Sequence, residues 1–535
     1  MTDSNQTPAT SQFNRHKGMK LAGALTLAAT VLAGCSTVQL DPLKDQEIAD
    51  AIKSDEQLFQ RMAPAISEPL DVNTAMARAL KYNLDHRVKL MEQALSHQGF
   101  ELAKLDMLPM LAANAGYTSR NNVDASRSES VLTGIESLEP STSVDQEYTD
   151  AELKLSWNVL DFGVSYLKAK QEADRVLIAG NARKDIMAKL LQQTRAAYWR
   201  AAVTQRLKPR VNELLAEAEF ALGRLEQIQE QKLRAPLEVL QEKRRLLSVI
   251  RSLRSLQRSA DSAEIELATL INQPPGERLP LAIPRQIPEL QELPEMDVEE
   301  LERIALANSG EYLGQLYNAR IAQREARKSM LRMLPGLEFS YSGNYNSNSY
   351  LYNNAWAQAG VRISWNIMRV FAYGDIQDQN ESREQLVEAQ RLAANMATIA
   401  RVNLGWQQYK NSLEAANLAQ RFEELDEAIA SFSEQARASS AISGTRSLVD
   451  KAKALNTAMT NALAYADAQE AFGGFLSTLG FNPVPFDYQT HTVDELAMKL
   501  DQGFENWQEQ HLESYNDMFE AADASTTQQK EDDPA

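Results

Sequence analysis

Two kinds of hydrophobic periodicity alternate along this chain, and each occurs twice. Leu153, Leu155, Trp157 and Val159 fall on one side of a period-two pattern, with Glu152, Lys154, Ser156 and Asn158 on the other. Leu337, Phe339, Tyr341 and Tyr345 alternate with Glu338, Ser340, Ser342 and Asn344 in the same way, as do Val361, Ile363 and Trp365 with Arg362, Ser364 and Asn366. The alternation predicts two hairpins, 111–118 with 151–160 and 337–345 with 355–366, each with one apolar and one polar face. Aromatics on the apolar side suit a barrel wall with lipid outside and water inside; the alternative is an amphipathic hairpin packed on a soluble core. After each hairpin the period changes. From about Gly163 to Gln231, and from about Tyr373 to Ser440, apolar residues recur at three- and four-residue spacing, as at Leu177, Ile178, Ile186, Leu190, Leu191, Tyr198 and Trp199. These predict two uninterrupted helices of roughly 100 Å each. Rods of that length must pack on neighbours as a coiled-coil-like wall.

The recurrence is an internal repeat. Asp71 and Asp297, and Pro109 and Pro335, share an offset of 226, while Ser156-Trp157-Asn158 and Ser364-Trp365-Asn366 share one of 208. The first copy therefore carries about 18 extra residues between its strands, rich in Ser, Asn, Asp, Glu and Gly, which read as a long exposed loop. Each copy has the order helix, strand, loop, strand, very long helix, turn, helix. The copies occupy 70–272 and 297–484. A stretch at 273–296 with six prolines joins them as an extended linker laid along the rod, and 485–535 is a polar, partly disordered tail in which Phe504 and Trp507 could form a short helix.

Composition narrows the function. No apolar run after the N-terminus is long enough for a spanning helix, so any membrane crossing must be a closed β-barrel. Four strands per chain are too few, since the smallest bacterial barrels have about eight. Three copies would supply twelve, which favours a homotrimer, although the count alone leaves a dimer open. A net charge of −18 without a basic, aromatic-interleaved patch argues against nucleic acid. The five histidines lack metal-ligand spacing, and there is no phosphate-binding glycine loop, so energy for transport would come from a partner.

The only cysteine is Cys35. It closes Leu32-Ala33-Gly34-Cys35 after a basic segment and an apolar run of about 14 residues, with Met19 a workable start. This reads as a lipoprotein signal peptide over 1–34, lipidation on Cys35, and a polar, helix-poor tether over 35–69. Apart from that lipid no cofactor is expected. Ser36 is not aspartate, which by the bacterial lipoprotein sorting rule implies delivery to the outer membrane.

The duplicated unit, the Leu-Pro pairs before the first strand of each copy, the Ser-Trp-Asn segments and the turn Ser443-Gly444-Thr445-Arg446 followed by Asp450 together resemble the TolC-type outer-membrane efflux family, in its lipid-anchored NodT/OprM-like branch. The resemblance covers nearly all of 70–484. It implies an α+β fold, a trimeric twelve-stranded outer-membrane barrel continued by a periplasmic helical tunnel, and a passive exit duct with no enzymatic activity. Implied partners are a periplasmic membrane-fusion adaptor, an inner-membrane RND pump or ABC exporter, and outer-membrane lipids. Asp450 would ring a narrow entrance, Arg446 would help close it through a link to Glu238 in the other hairpin, and Leu233, Gly444 and Thr445 would sit in adaptor-contact turns. For Asp450 the alternative is a solvated acid near a helix start. The chain departs from the family in having Lys232-Leu233 where a Gly-Leu turn is usual, and Lys453 where a second aspartate would stand. A periplasmic coiled-coil adaptor or structural lipoprotein is the rival reading, and the duplicated strands count against it.

Overall fold

In the computed structural model the described residues are 41–62, 64–283, 290, 297–439, 441–484 and 488–505. Cys35, the signal segment, most of the Pro-rich stretch and Trp507 lie outside them. Residues 1–64 and 65–535 form two separate units.

In the first unit, helix α1 (Asp45–Met62) replaces the helix-poor tether expected there. Lys44 N–H donates to Glu47 Oε2 at 2.9 Å, capping its start, and Ile48 and Ile52 stand four apart on one face.

The second unit follows the expected order. Helices α2 (Val72–Tyr82) and α3 (Leu84–Leu105) lead into strand β1 (Met110–Ser119). A loop with the two-residue strands β2 (Ala125–Ser126) and β3 (Ser141–Thr142) leads to β4 (Glu147–Asn158), then α4 (Val159–Glu230) and α5 (Pro236–Leu270). The second half has α6 (Val298–Asn308), α7 (Gly310–Leu331), β5 (Gly336–Asn346), β6 (Ala355–Ser364), the short α8 (Met368–Phe371), α9 (Tyr373–Ala438) and α10 (Gly444–Thr478). A last helix, α11 (Val493–Glu505), ends the described chain. The counterparts α2 and α6 both have 11 residues, and α3 and α7 both have 22. Likewise α5 and α10 both have 35.

Local chemistry sets the starts. Asp71, Asn83, Asn158, Asp297, Ser309 and Ser443 each accept a backbone N–H of the first turn they precede. With 72 residues α4 spans about 110 Å. Pro209 lies inside it, which the expectation of an uninterrupted rod did not account for; the helix continues through it.

The four main strands form one antiparallel sheet in the order β1-β4-β5-β6. Leu111 stands opposite Leu155, Leu155 opposite Tyr341, Trp157 opposite Phe339, and Phe339 opposite Val361, so the apolar positions share one face. Lys154, Ser342 and Gln358 line up on the other face. The expected alternation is met, except that Val159 starts α4 and Trp365 lies just past β6, where its Nε1–H donates to Met333 O at 2.8 Å. Apolar residues of that face stay exposed, and the outer edges of β1 and β6 are unpaired. Among the described residues no helix is long and apolar enough to cross a membrane.

Four clusters hold the helices together. Met76, Leu80, Leu190, Tyr198 and Trp199 pack with Tyr488, Leu496 and Leu500, so the start of the expected tail is folded. Phe504 meets Phe481 edge-on at 5.5 Å. The linker contributes as well: Leu281 pairs with Leu70 in a parallel bridge and is buried in the same cluster. Toward the hairpin tips, Leu214, Ala218 and Leu225 of α4 meet Val239, Leu246 and Leu253 of α5 and Leu448, Leu455 and Met459 of α10. In the second half, Phe475 packs on Val402 and Ile304, and Tyr409 on Phe472.

Candidate channel entrance at the hairpin tips

Each long helix turns back at a tip. In the first tip Lys232 holds φ 53°, and Leu233 N–H donates to Ile228 O at 3.1 Å. This is the position where the family resemblance led us to expect glycine, and the left-handed backbone explains that preference. Pro236 opens α5, where a missing N–H costs nothing. In the second tip Ser443 caps α10 by accepting Arg446 N–H at 3.2 Å, and Gly444 and Thr445 form its first turn. Leu233 and Gly444 are exposed and Thr445 half-buried.

Asp450 is buried at 8% exposure, which removes the solvated reading. Its Oδ2 accepts Ser433 Oγ–H from α9 at 2.8 Å and Arg446 Nε–H from one turn earlier at 3.1 Å. Arg446 therefore pairs along its own helix, and the expected Glu238–Arg446 link is not formed within the chain. Glu238 is exposed on α5. The contact between tips is made by Thr445, whose hydroxyl donates to Glu242 Oε2 at 3.4 Å, with Arg234 Nη1 3.6 Å from the same carboxylate oxygen. Glu242 lies one turn past Glu238 and faces the second hairpin, which the sequence could not show.

Two further carboxylates tie α9 to α10. Asp426, buried on α9, takes Thr457 Oγ1–H at 2.6 Å and Lys453 Nζ–H at 3.0 Å. Those donors lower its pKa, the threonine bond most. Lys453, the departure from the family's second aspartate, thus neutralises an acid already present. Glu434 takes Ser447 Oγ–H at 2.7 Å and lies 3.0 Å from Lys451 Nζ; these donors, first the serine, push its pKa down to about 2. Arg437, 2.9 Å from Glu434, also approaches Glu217 of the first hairpin at 3.8 Å. Near its tip the second hairpin is therefore closed by carboxylate bonds, and the first by an apolar core. Asp426 and Glu434 were missed in sequence because their partners lie 27 and 13 residues away.

By fold the chain resembles solved outer-membrane channels. The Campylobacter jejuni CmeC outer membrane channel matches 81% of this chain and 90% of that one, at 14% identity and a TM-score of 0.60. The outer-membrane channel OprN matches 79% of this chain and 97% of that one, at 18% identity and a TM-score of 0.58. The outer membrane protein VceC from Vibrio cholerae matches 76% of this chain and 96% of that one, at 15% identity and a TM-score of 0.56. No protein-family model matches the chain, and no curated protein matches it by sequence. The chain thus has the fold of these outer-membrane channels, as the resemblance to the TolC-type family led us to expect.

Proposed function

We propose that this chain is one subunit of a lipid-anchored, trimeric outer-membrane exit duct, opened by a periplasmic adaptor and served by an inner-membrane RND pump or ABC exporter. The observation that carries the reading is the sheet. It exposes one apolar and one polar face, leaves both edges unpaired, and runs directly into helices about 100 Å long. An apolar face that large is costly in water and favourable in lipid, and open edges in lipid must be paired. Repetition of the same unit within the chain and three copies around an axis would give twelve strands enclosing a bore.

In this reading Cys35 carries the lipid, the sheet lies in the outer membrane, and the helices project into the periplasm. Solute passes through a bore, and the chain's role is conduction rather than catalysis. Asp450, Arg446, Thr445 and Glu242 hold the tip helices in place, and the turns at Leu233 and Gly444 receive the adaptor. The weak bonds at the tip suit a partner-driven opening, since half-exposed ion pairs contribute only about 1 kcal/mol or less. The test is purification of the full chain in detergent, mass measurement, and insertion into planar bilayers. A discrete trimer with stepwise ion conductance is expected; a soluble, non-conducting monomer would overturn the reading.

A further inference from the structure

Helices α4 and α7 run antiparallel where they join the sheet. Gly163 lies beside Leu331, and Arg324 Nη1 donates to Lys170 O at 2.7 Å. Between the two helices is an open groove of about 670 Å³, lined by Gly163, Tyr166, Leu167, Met330, Leu331 and Leu334, with Arg327 on its rim. The lining is almost wholly apolar, and the volume falls in the range of small-molecule sites, about 300–1,000 Å³.

The groove is graded from end to end. Its upper end, at Gly163 and Leu334, adjoins the last residues of β4 and the first of β5. There Trp157, on the apolar face of the sheet, meets Phe162 edge-on at 5.7 Å, and Phe162 stacks on Tyr166 at 6.5 Å. Aromatic rings therefore lead from that face into the groove. The lower end is cationic. Lys170 is seven residues past Gly163 and Arg327 seven before Leu334, so both stand about 10 Å below the upper end. Lys170 Nζ lies 4.6 Å over the Tyr166 ring. The cations around them are paired: Lys168 with Asp106, Arg324 with Asp174 and Lys328 with Glu325. Among the described residues Lys170 and Arg327 have no carboxylate partner, and both are exposed.

This arrangement belongs to one seam and not to the duplicated scaffold. At the repeat offsets of 208 and 226, Gly163 corresponds to Phe371, Lys170 to Asp378, Arg327 to Glu101 and Met330 to Lys104. A ring replaces the glycine, and acids replace both cations.

An apolar trough that opens beside the apolar face of a sheet and ends in two unpaired cations matches a molecule with a hydrocarbon tail and an anionic head. The geometry points to a binding site for one anionic phospholipid of the outer membrane, its acyl chain along Gly163, Leu331 and Leu334 and its phosphate between Lys170 and Arg327. This rests on the outer-membrane reading proposed above, and adds a lipid site at the foot of the sheet. The acyl chain covers apolar surface that water would otherwise wet, and the two cations select the charge of the headgroup.

Native mass spectrometry of the full chain, released from detergent with and without added phosphatidylglycerol, tests it. One phosphatidylglycerol retained per chain is expected, with phosphatidylcholine held more weakly and inorganic phosphate unable to displace the lipid. Lys170→Gln with Arg327→Gln should weaken retention about tenfold. Gly163→Phe, which copies the residue at the repeat-equivalent position, should abolish it by filling the groove. Both variants should keep the oligomeric mass and conductance of the unmodified chain, and the double glutamine variant decides alone if Gly163→Phe does not fold. Retention in the double variant equal to that of the unmodified chain overturns the site, as does equal retention of phosphatidylcholine. Displacement by inorganic phosphate would mark a bare anion site and overturn it too. If the oligomer conducts, each of those results leaves the duct reading standing. A soluble, non-conducting monomer overturns both.

Discussion

Replacing Asp450 tests whether its carboxylate holds the second tip. In Asp450→Ala the buried Ser433 hydroxyl loses its acceptor, which costs about 1–2 kcal/mol, and Arg446 loses a partner. The Arg446 side chain is 65% exposed and rehydrates, so that part is worth about 0.5 kcal/mol. The sum, about 2 kcal/mol, should raise local opening of the α9–α10 tip roughly 30-fold, since 1.4 kcal/mol is about tenfold. Asp426 and Glu434 still tie the helices, so the effect stays local. Asp450→Asn keeps an acceptor for Ser433 and should open the tip only a few-fold. The assay is amide hydrogen exchange of residues 444–457, read beside the apolar tip at 214–225 and 246–253, together with single-channel conductance. Faster exchange confined to the second tip, in the order Ala above Asn above unmodified protein, with a matching rise in conductance, is expected. Unchanged exchange in Asp450→Ala would refute the idea that this carboxylate holds the tip.

Other substitutions probe the frame. Lys232→Gly relieves a left-handed residue and should stabilise the first turn by about 0.5–1 kcal/mol, seen as a higher melting temperature without a change in conductance. Asp174→Ala leaves Arg320 and Arg324 facing a buried void; because Arg320 is 46% exposed, the loss should be near the lower end for a broken buried pair, about 3 kcal/mol by denaturant titration. Gly480→Ala, at φ +79° and with its new methyl driven into Asn308, should cost more than about 2 kcal/mol by the same measurement. Burial pushes the Asp185 carboxyl up to about 6, against the Gly310 N–H and Arg401, which pull it down. Because the folded value lies above the unfolded one, the penalty is absent below about pH 4 and complete above about pH 6, so stability falls as pH rises across that window. Asp185→Asn should flatten that slope, which solvent screening limits to about 1 kcal/mol, in melts run from pH 4 to 7.

What could be read in sequence was whatever is periodic. Strand alternation survives because one face of β4, β5 and β6 must meet one environment, and the long helices because their stripes are regular. The caps Asp71, Asp297 and Ser443 are local signals that need no partner. Long-range pairing left no such trace. Helix α11 adds Leu496 and Leu500 to a core that includes Met76, Leu80, Leu190 and Tyr198, hundreds of residues earlier, and Asn73 binds Asp501 at 2.7 Å across 428 positions, so the segment read as tail. Helix α1 was overlooked for a different reason. Its Ile48 and Ile52 are spaced for a helix, but charged neighbours dilute the signal. At the tips Arg446 and Asp450, four apart, could have been paired from sequence alone. The choice of Glu242 over Glu238 depends on how the second hairpin lies against α5.

The two hairpins differ in what separation would cost. Parting α4 from α5 would expose Leu214, Leu225, Leu246 and Leu253, and burying a leucine contributes about 1.5–3 kcal/mol, a cost that water cannot offset. Parting α9 from α10 near the tip breaks bonds at Asp426, Glu434 and Asp450, whose groups all regain water as they separate. Each such bond is then worth about 1 kcal/mol net. Meanwhile Leu448, Leu455 and Met459 keep α10 fastened to α4 and α5. The least costly movement at the tip is therefore α9 leaving α10, with the other three helices remaining together. Apolar replacement of the ties tests this directly. Asp426→Leu with Lys453→Leu and Thr457→Val should slow amide exchange in 444–457 and lower conductance, because it converts a seam that water can open into one that it cannot. Faster exchange in that variant would show that the polar ties hold α9 more firmly than an apolar contact, and α9 would not be the first helix to leave.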